Sequence, residues 1–170
     1  MYLIISTSLN TNSRSWILAQ YALSVFNEKG VDAELFDLRD VDLPFCDGDK
    51  CYDDPTVKKL KKIITQADAI IVVCPIYNYD VNAVTKNLLE LTGSSWNEKV
   101  VGFMCSAGGK GSYMSVMPFA NSLMLDYRCR IIPRYVYTTS ESFSEGQLAD
   151  NEIIDRINEL VDTIISWSSS

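Results

Sequence analysis

Short apolar runs alternate with longer amphipathic segments along the chain, and this alternation predicts strands and helices in turn. The longest apolar run, residues 69–74, is rich in β-branched side chains, as expected for a strand buried on both faces of a parallel sheet. Pro75 is expected to stop its ladder. Further strands are predicted over residues 2–6, 33–38, 99–105 and 130–137. Helices are predicted over residues 14–28, 55–66, 81–91 and 151–167, with another that opens in the glycine-rich segment 106–112 and ends near residue 126.

Five strands that alternate with five helices indicate an α/β fold, namely a single doubly wound domain over residues 1–170 with helices on both faces of a parallel sheet. The pattern leaves the strand order open. We prefer 2-1-3-4-5 because five strands fit that order. The first, third and fourth strands are then neighbours, so the loops that follow them converge on one site. The terminal serines, residues 168–170, are expected to fray.

Composition narrows the classes of partner. Fifteen basic against 22 acidic residues give a net charge of −7, which argues against nucleic acid or an anionic membrane. No apolar run approaches the ~20 residues of a membrane span. The first residues lack the pattern of a signal peptide and read as a strand, so a cytoplasmic protein is expected.

The chain contains no histidine, which excludes Ser-His-Asp and Cys-His catalysis and removes the commonest transition-metal ligand. We therefore predict no metal and no catalytic side chain. Of the five cysteines, Cys74 and Cys105 lie in apolar strand patterns and are expected in the core. Cys46 and Cys51 lie in an acidic loop and are either ordinary thiols or a redox pair.

A polar loop follows the first strand. Residues 6–13 carry five hydroxyl side chains and lead into a helix N-terminus, where free N–H groups and the helix dipole favour an anion. Arg14 is available to add positive charge. We favour a phosphate site; the alternative is a polar loop in which Ser13 is only the N-cap.

Two other loops contain unusual residues. Tyr77, Asn78 and Tyr79 follow the central strand, and an aromatic pair with an amide between them suits a flat heteroaromatic ligand. In the segment 106–112, Gly111 follows Lys110 where a nucleotide-triphosphate loop requires Ser or Thr. Its glycines instead let the backbone approach a ligand closely. For both loops the alternative is a simple strand-to-helix turn.

The three segments, residues 7–13, 75–79 with Lys86 and Asn87 behind them, and 106–111, together resemble the NAD(P)H-dependent FMN reductase family of flavodoxin-like proteins. The resemblance implies FMN, with its phosphate in the first loop and its ring between the other two. The residues implied for the phosphate are Ser8, Ser13 and Ser15, and those implied for the ring are Pro75, Tyr77, Asn78, Tyr79, Ser106, Gly108 and Gly109. Their neighbours Ser6, Asn10, Arg14, Ile76 and Ala107 complete the predicted cofactor-binding set. Asn10 stands where the family usually has arginine, and Ile76 where it has glutamate.

The resemblance implies an FMN-dependent NAD(P)H oxidoreductase. NADPH or NADH would pass a hydride to bound FMN, which would then reduce a small-molecule acceptor such as a quinone, an azo compound, free flavin or a metal ion. A homodimer or homotetramer is expected from the resemblance and from four aromatics assigned to the site region, Tyr77, Tyr79, Tyr113 and Phe119. The alternatives are an FMN-binding electron carrier without a nicotinamide site, and a non-catalytic interaction protein that has lost flavin.

Overall fold

The computed structural model describes residues 1–168 of the chain. Its helices and strands follow in the order β1 (Tyr2–Ser6), α1 (Arg14–Glu28), β2 (Ala33–Asp37), α2 (Pro55–Gln66), β3 (Ala69–Tyr77), β4 (Asp80–Val81), α3 (Ala83–Thr92), β5 (Val100–Ser106), α4 (Met117–Tyr127), β6 (Arg130–Ile131), β7 (Val136–Thr138), β8 (Phe143–Ser144), β9 (Gln147–Leu148) and α5 (Asn151–Ser168). Short 3-10 turns, such as Lys50–Asp53 and Lys110–Val116, lie in the connections.

The main sheet confirms the predicted fold and strand order. Its path is β2-β1-β3-β5, and β6 and β7 both pair with β5 in parallel, so they share the position expected for the fifth strand. The sheet also contains β4, which pairs antiparallel with β3. A separate two-stranded hairpin of β8 and β9, which the apolar pattern did not predict, precedes α5.

The prediction that Pro75 stops the central strand was wrong. β3 continues through Pro75, which pairs with Ser106 of β5, and ends only at Tyr77. The register with β1 already ends at Val73, so the missing N–H of Pro75 faces no partner on that side. The Pro75 carbonyl accepts a hydrogen bond from Asn82 N at 3.2 Å, beyond the end of the ladder with β1. The chain therefore turns back as a hairpin before α3 begins, which is why that helix starts later than predicted.

Two other boundaries differ from the sequence pattern. The predicted strand over residues 130–137 is interrupted between β6 and β7, where Pro133 lies and Arg134 has a φ of 60°. The helix expected to open in the segment 106–112 begins as the 3-10 turn Lys110–Val116, and the α-helical part is confined to α4. The order and parallel direction of the main strands are unaffected by either difference.

The core lies in two layers on opposite faces of the sheet. On one face, α1 and α5 pack against Ile4, Ile71 and other strand residues. On the other face, α2, α3 and α4 pack against alternate strand residues, among them Ile5 and Phe103. This alternation along β1 and β3 is what a strand buried on both faces requires.

Two details of the sequence-based prediction need correction. Phe119 is 3% exposed and lies edge-on to Phe103 in the core, so it belongs to no surface group of aromatics. Ser168, which was expected to lie beyond the last helix, is its final residue, and its Oγ lies 2.7 Å from the Tyr2 hydroxyl. Residues 169 and 170 lie outside the described residues.

Within residues 1–168, no helix is both long and apolar enough to cross a membrane.

Candidate functional site

A cavity of about 840 Å³ lies at the carboxyl ends of β1, β3 and β5. The strand register explains its position, since Ser6 is level with Val73 and Pro75 is level with Ser106. The loops that follow these strands therefore open at the same edge of the sheet, as an open α/β sheet predicts. Fourteen predicted residues line the cavity: Ser8, Asn10, Ser13, Arg14, Ser15, Pro75, Ile76, Tyr77, Asn78, Tyr79, Ser106, Ala107, Gly108 and Gly109.

The first loop presents hydroxyl groups at the N-terminus of α1. Ser13 is the N-cap, and its Oγ accepts a hydrogen bond from Trp16 N at 3.2 Å. Ser8 Oγ accepts one from Asn10 N at 3.4 Å. Because both oxygens act as acceptors here, each hydroxyl hydrogen is left for a further acceptor. The first turn of α1 contains no acidic residue, so the positive end of its dipole is open to an anion.

Arg39 supports this loop, and sequence reasoning missed it. Its guanidinium forms a salt bridge with the buried carboxylate of Asp37 at the end of β2. It also lies 4.6 Å from the centroid of the Trp16 ring and donates to the carbonyls of Asn10 and Thr11 at 3.5 and 3.4 Å. Hydrogen bonding to Asp37 raises the pKa of Arg39. A cation from the turn after β2 thus lies beside the loop that contains Asn10.

The hairpin after β3 presents two tyrosines. Asn78 and Tyr79 have φ values of 51° and 63°, the left-handed conformation that a tight two-residue hairpin requires at both central positions. This conformation is unfavourable for a bulky residue such as tyrosine. Tyr77 and Tyr79 are 53% and 71% exposed, so both rings are largely accessible at the cavity. The Tyr79 hydroxyl lies 3.4 Å from the position that a Cβ on Gly111 would occupy.

The glycine loop after β5 forms the opposite side of the cavity. A Cβ built on Gly108 or Gly109 would meet no protein atom within 4 Å, so both glycines border open space. Gly109 has a φ of −163°, which any residue adopts, and its glycine is therefore not required by the backbone. The loop is held by Tyr137, whose hydroxyl donates to Gly109 O at 2.5 Å. The glycines leave room that side chains would fill.

A buried hydrogen-bonded cluster joins the first loop to the hairpin. Asn82, which precedes α3, donates from Nδ2 to Thr7 O at 2.8 Å. Its Oδ1 lies 3.2 Å from Thr7 Oγ1 and 2.5 Å from Thr85 Oγ1. The two threonine hydroxyls are themselves 2.6 Å apart. These three side chains are at least 94% buried, and they hold two walls of the cavity at a constant separation.

One predicted residue lies away from the cavity, and three lining residues were outside the predicted cofactor-binding set. Ser6 is wholly buried at the end of β1. Among the buried side-chain nitrogen and oxygen atoms of residues 1–168, its Oγ is the one that has no hydrogen-bond partner. Asn12, Gly111 and Ser112 line the cavity. Their presence in the same two loops as the predicted residues was the available signal.

The cavity is chemically suited to binding and not to proton transfer. Among its lining residues Arg14 alone carries a formal charge, and none is a carboxylate or a thiol. The remaining polar groups are hydroxyls, amides and backbone. Across residues 1–168, no group of three or more Cys, Asp or Glu side chains is placed to hold a metal ion. The site can therefore hold an anionic, aromatic ligand through hydrogen bonds, the α1 dipole and stacking.

Comparison with known proteins identifies related chains. Residues 2–143 match the family described as NADPH-dependent FMN reductase. A NAD(P)H-dependent FAD/FMN reductase of Geobacillus thermodenitrificans is 28% identical over 144 residues, which are 81% of this chain and 77% of the relative. An NADPH azoreductase of Bacillus sp. strain OY1-2 is 26% identical over 152 residues, 86% of this chain and 83% of the relative.

A solved structure shows the same fold. The flavoenzyme NAD(P)H:(acceptor) oxidoreductase from Paracoccus denitrificans superposes with a TM-score of 0.80. The match covers 99% of this chain and 96% of that one, at 21% sequence identity. The fold of this chain is therefore shared over nearly its whole length with that structure.

The buried cluster gives a prediction about stability. Replacing Asn82 by alanine removes the donor to Thr7 O and leaves buried polar groups unpaired, so we expect a loss of about 1–3 kcal/mol in the free energy of unfolding. Urea unfolding followed by circular dichroism measures this loss. The control is Asn158→Ala, because the Asn158 amide bonds only to Ile154 O of its own helix. Equal effects of the two substitutions would contradict the role of the cluster.

Proposed function

Since the chain belongs to the NADPH-dependent FMN reductase family, we propose that its cavity binds FMN through the fourteen lining residues predicted from the sequence. The protein is an FMN-dependent NAD(P)H oxidoreductase. The observation that carries the proposed site is the convergence of three loops on one cavity. The loops provide an open helix N-terminus, two exposed tyrosines and two glycines, Gly108 and Gly109, that border open space.

In this proposal the first loop holds the phosphate. Ser8 and Ser13 donate hydroxyl hydrogen bonds, and the free N–H groups at the start of α1 face the same anion. Arg14 adds a formal positive charge at the cavity. Arg39 holds the loop from behind through Asn10 O and Thr11 O. The loop therefore needs no arginine at position 10 in order to bind a phosphate.

The hairpin and the glycine loop hold the ring. Tyr77 and Tyr79 offer faces for stacking, and the Asn78 amide offers a hydrogen bond to a ring edge. Gly108 and Gly109 let the backbone approach the opposite edge, where preorganised N–H donors stabilise developing negative charge. Ser6, buried below the first loop, contributes no lining surface and supports the loop from the end of β1.

When bound, FMN supplies the redox chemistry, accepting a hydride from NADPH or NADH and passing electrons to an acceptor. The protein binds and orients the reactants, and no side chain in the cavity is required as an acid or a base. Small-molecule acceptors fit the open cavity. A relative named as an NADPH azoreductase supports azo compounds as one acceptor class, and a relative named as a FAD/FMN reductase supports free flavins.

The proposal extends to the protein as a whole. Both core layers pack on one sheet, which supports a single FMN-binding domain over residues 1–170. We propose a cytoplasmic homo-oligomer without nucleic-acid or membrane partners, in keeping with the net charge of −7.

A visible absorption spectrum tests the function. We expect the protein reconstituted with FMN to be yellow and to be bleached fully by NADPH or NADH without oxygen. Addition of an azo compound should then restore the colour. Bleaching by dithionite but by neither nucleotide would favour the electron-carrier alternative. A protein that stays colourless after FMN is added and desalted would favour the non-catalytic alternative.

Ser8 tests the phosphate site. Replacing Ser8 by alanine removes a charge-assisted hydrogen bond, so we expect FMN affinity to fall by about 1.5–3 kcal/mol, roughly tenfold to a hundredfold in Kd. Quenching of FMN fluorescence measures the Kd. Ser122→Ala is the matched control, because the exposed Ser122 hydroxyl bonds only to Pro118 O of its own helix. An unchanged Kd for the Ser8 variant would move the phosphate elsewhere.

Gly109 tests the ring site. Replacing Gly109 by valine places a Cβ in open space, with no protein atom within 4 Å of it, and the extended backbone accepts a β-branched residue. We expect FMN affinity to fall by about tenfold or more, about 1.4 kcal/mol. The unfolding free energy of the FMN-free protein should stay unchanged, since the Cβ at this cavity-lining position meets no protein atom within 4 Å. If the Gly109→Val variant kept the FMN affinity and the hydride-transfer rate of the unchanged protein, the FMN ring would lie away from this loop.

Assembly is tested by sedimentation. Tyr77 and Tyr79 are exposed at the cavity, and Tyr113, which follows the lining residue Ser112, is exposed as well. Exposed aromatic side chains of this kind commonly mark interfaces between subunits. We expect a species of at least twice the 19.1 kDa chain mass at micromolar concentration. A monomer under those conditions would reject the homodimer.

A further inference from the structure

Two thiols outside the cavity lie in contact in the connection between β2 and α2. The Sγ atoms of Cys46 and Cys51 are 3.9 Å apart. The side chains thus face each other, although both residues are present as free thiols. To form a disulfide the sulfurs have to close from this distance to about 2.05 Å, and a loop can make such a movement more readily than a paired strand.

Hydrogen bonds bring the two cysteines together. Asp47 Oδ1 accepts from the backbone N–H groups of Asp49 at 2.9 Å and Cys51 at 3.1 Å. These bonds lower the pKa of Asp47 to about 2. These hydrogen bonds turn the chain back on itself, so that Cys51 lies next to Cys46. Asn87 of α3 fixes the other end, because its side chain bonds to Cys46 N and to Pro44 O, each at 2.9 Å.

The two thiols differ in accessibility. Cys46 is half-buried, and its Sγ lies 3.6 Å from the Tyr52 hydroxyl. Cys51 is 5% exposed, and burial raises the pKa of its thiol. A small reagent therefore reaches the sulfur of Cys46 first, while Cys51 is placed to react with whatever forms there.

The other cysteines provide an internal comparison. Cys74 and Cys105 also have their Sγ atoms 3.9 Å apart, but both lie wholly buried on adjacent strands of the sheet. Cys129 is 6% exposed, and its thiol donates a hydrogen bond to Trp96 O at 3.1 Å. Burial raises its pKa to about 11. The sulfur atoms are equally close in the Cys46–Cys51 and Cys74–Cys105 pairs, but only the first pair contains a cysteine that is partly exposed to solvent.

We propose that Cys46 and Cys51 form a redox-active dithiol that small hydroperoxides convert to an intramolecular disulfide. This inference goes beyond the proposed function and does not depend on FMN. The proposal rests on three observations: the two sulfurs are in contact, hydrogen bonds in the loop hold them there, and Cys46 is partly exposed.

The chemistry balances with hydrogen peroxide as the oxidant. The Cys46 thiolate attacks one peroxide oxygen, an S–O bond forms, the O–O bond breaks, and the departing hydroxide takes up a proton as water. Cys51 then attacks the Cys46 sulfur, the S–S bond forms, and the S–O bond breaks to release a second water. Two thiols lose two electrons and two protons, and one peroxide becomes two waters. A low-molecular-weight thiol reverses the reaction by exchange.

The position of Lys50 between the two cysteines makes the test direct. The folded protein is treated with hydrogen peroxide, its remaining thiols are blocked with N-ethylmaleimide, and it is digested with trypsin. Cleavage after Lys50 separates peptide 40–50, which contains Cys46, from peptide 51–58, which contains Cys51. We expect the two peptides to stay joined after oxidation and to separate after dithiothreitol. Peptides 63–86 and 100–110, which contain Cys74 and Cys105, should stay separate.

Single variants distinguish the two roles. In Cys51→Ser, we expect Cys46 to accumulate as a sulfenic acid that dimedone traps. In the Cys46→Ser variant, the remaining Cys51 should react with peroxide much more slowly than Cys46 reacts in the Cys51→Ser variant, because Cys51 is buried. Circular dichroism checks that both variants are folded. The proposal is overturned if peptides 40–50 and 51–58 separate after peroxide treatment. It is equally overturned if the Cys74 and Cys105 peptides become joined at the same rate, because oxidation would then follow unfolding.

Discussion

The side-chain amide of Asn82 joins the parts of this structure that have to act together. It bonds to the backbone and hydroxyl of Thr7 in one loop and to Thr85 in α3, and it stands directly after the hairpin that carries the tyrosines. Unpaired polar groups at this depth are costly, so the loops gain most from being held in one arrangement. Rigid loops reduce the entropy lost on binding a ligand, and affinity then requires fewer direct contacts.

Much of this arrangement was readable from sequence, for local reasons. The β-branched run before Pro75 is typical of a central parallel strand, and the hydroxyl-rich, tyrosine and glycine loops each follow a strand. Convergence of the loops then follows from the topology. The hairpin was missed because the proline was read as a breaker, although its missing N–H lies where β1 has already ended. Phe119 was misplaced because a helix of low amphipathicity does not reveal which face it buries.

Contacts between distant residues were beyond the sequence pattern. Arg39 reaches the first loop 28 residues before it in the chain, and nothing in its own neighbourhood signals that approach. Its role becomes visible only with Asp37 and Trp16 on either side of the guanidinium. The first loop, in which Asn10 was noted in place of an arginine expected from the resemblance, thus has a cation behind it, although that charge is largely balanced by Asp37. A single-position comparison with a family pattern overlooks compensation of this kind, because the compensating residue lies in another element.

The hairpin after β3 has a consequence for how this chain can change over generations. Asn78 and Tyr79 adopt torsions that glycine accepts without strain, and a non-glycine residue there costs of order 1–3 kcal/mol. Glycine at position 79 would therefore be favoured by any selection for thermal stability alone. That same change would delete an exposed aromatic ring from the mouth of the cavity. Directed evolution of a heat-resistant form would thus tend to remove the ring, unless ligand binding were selected in every round.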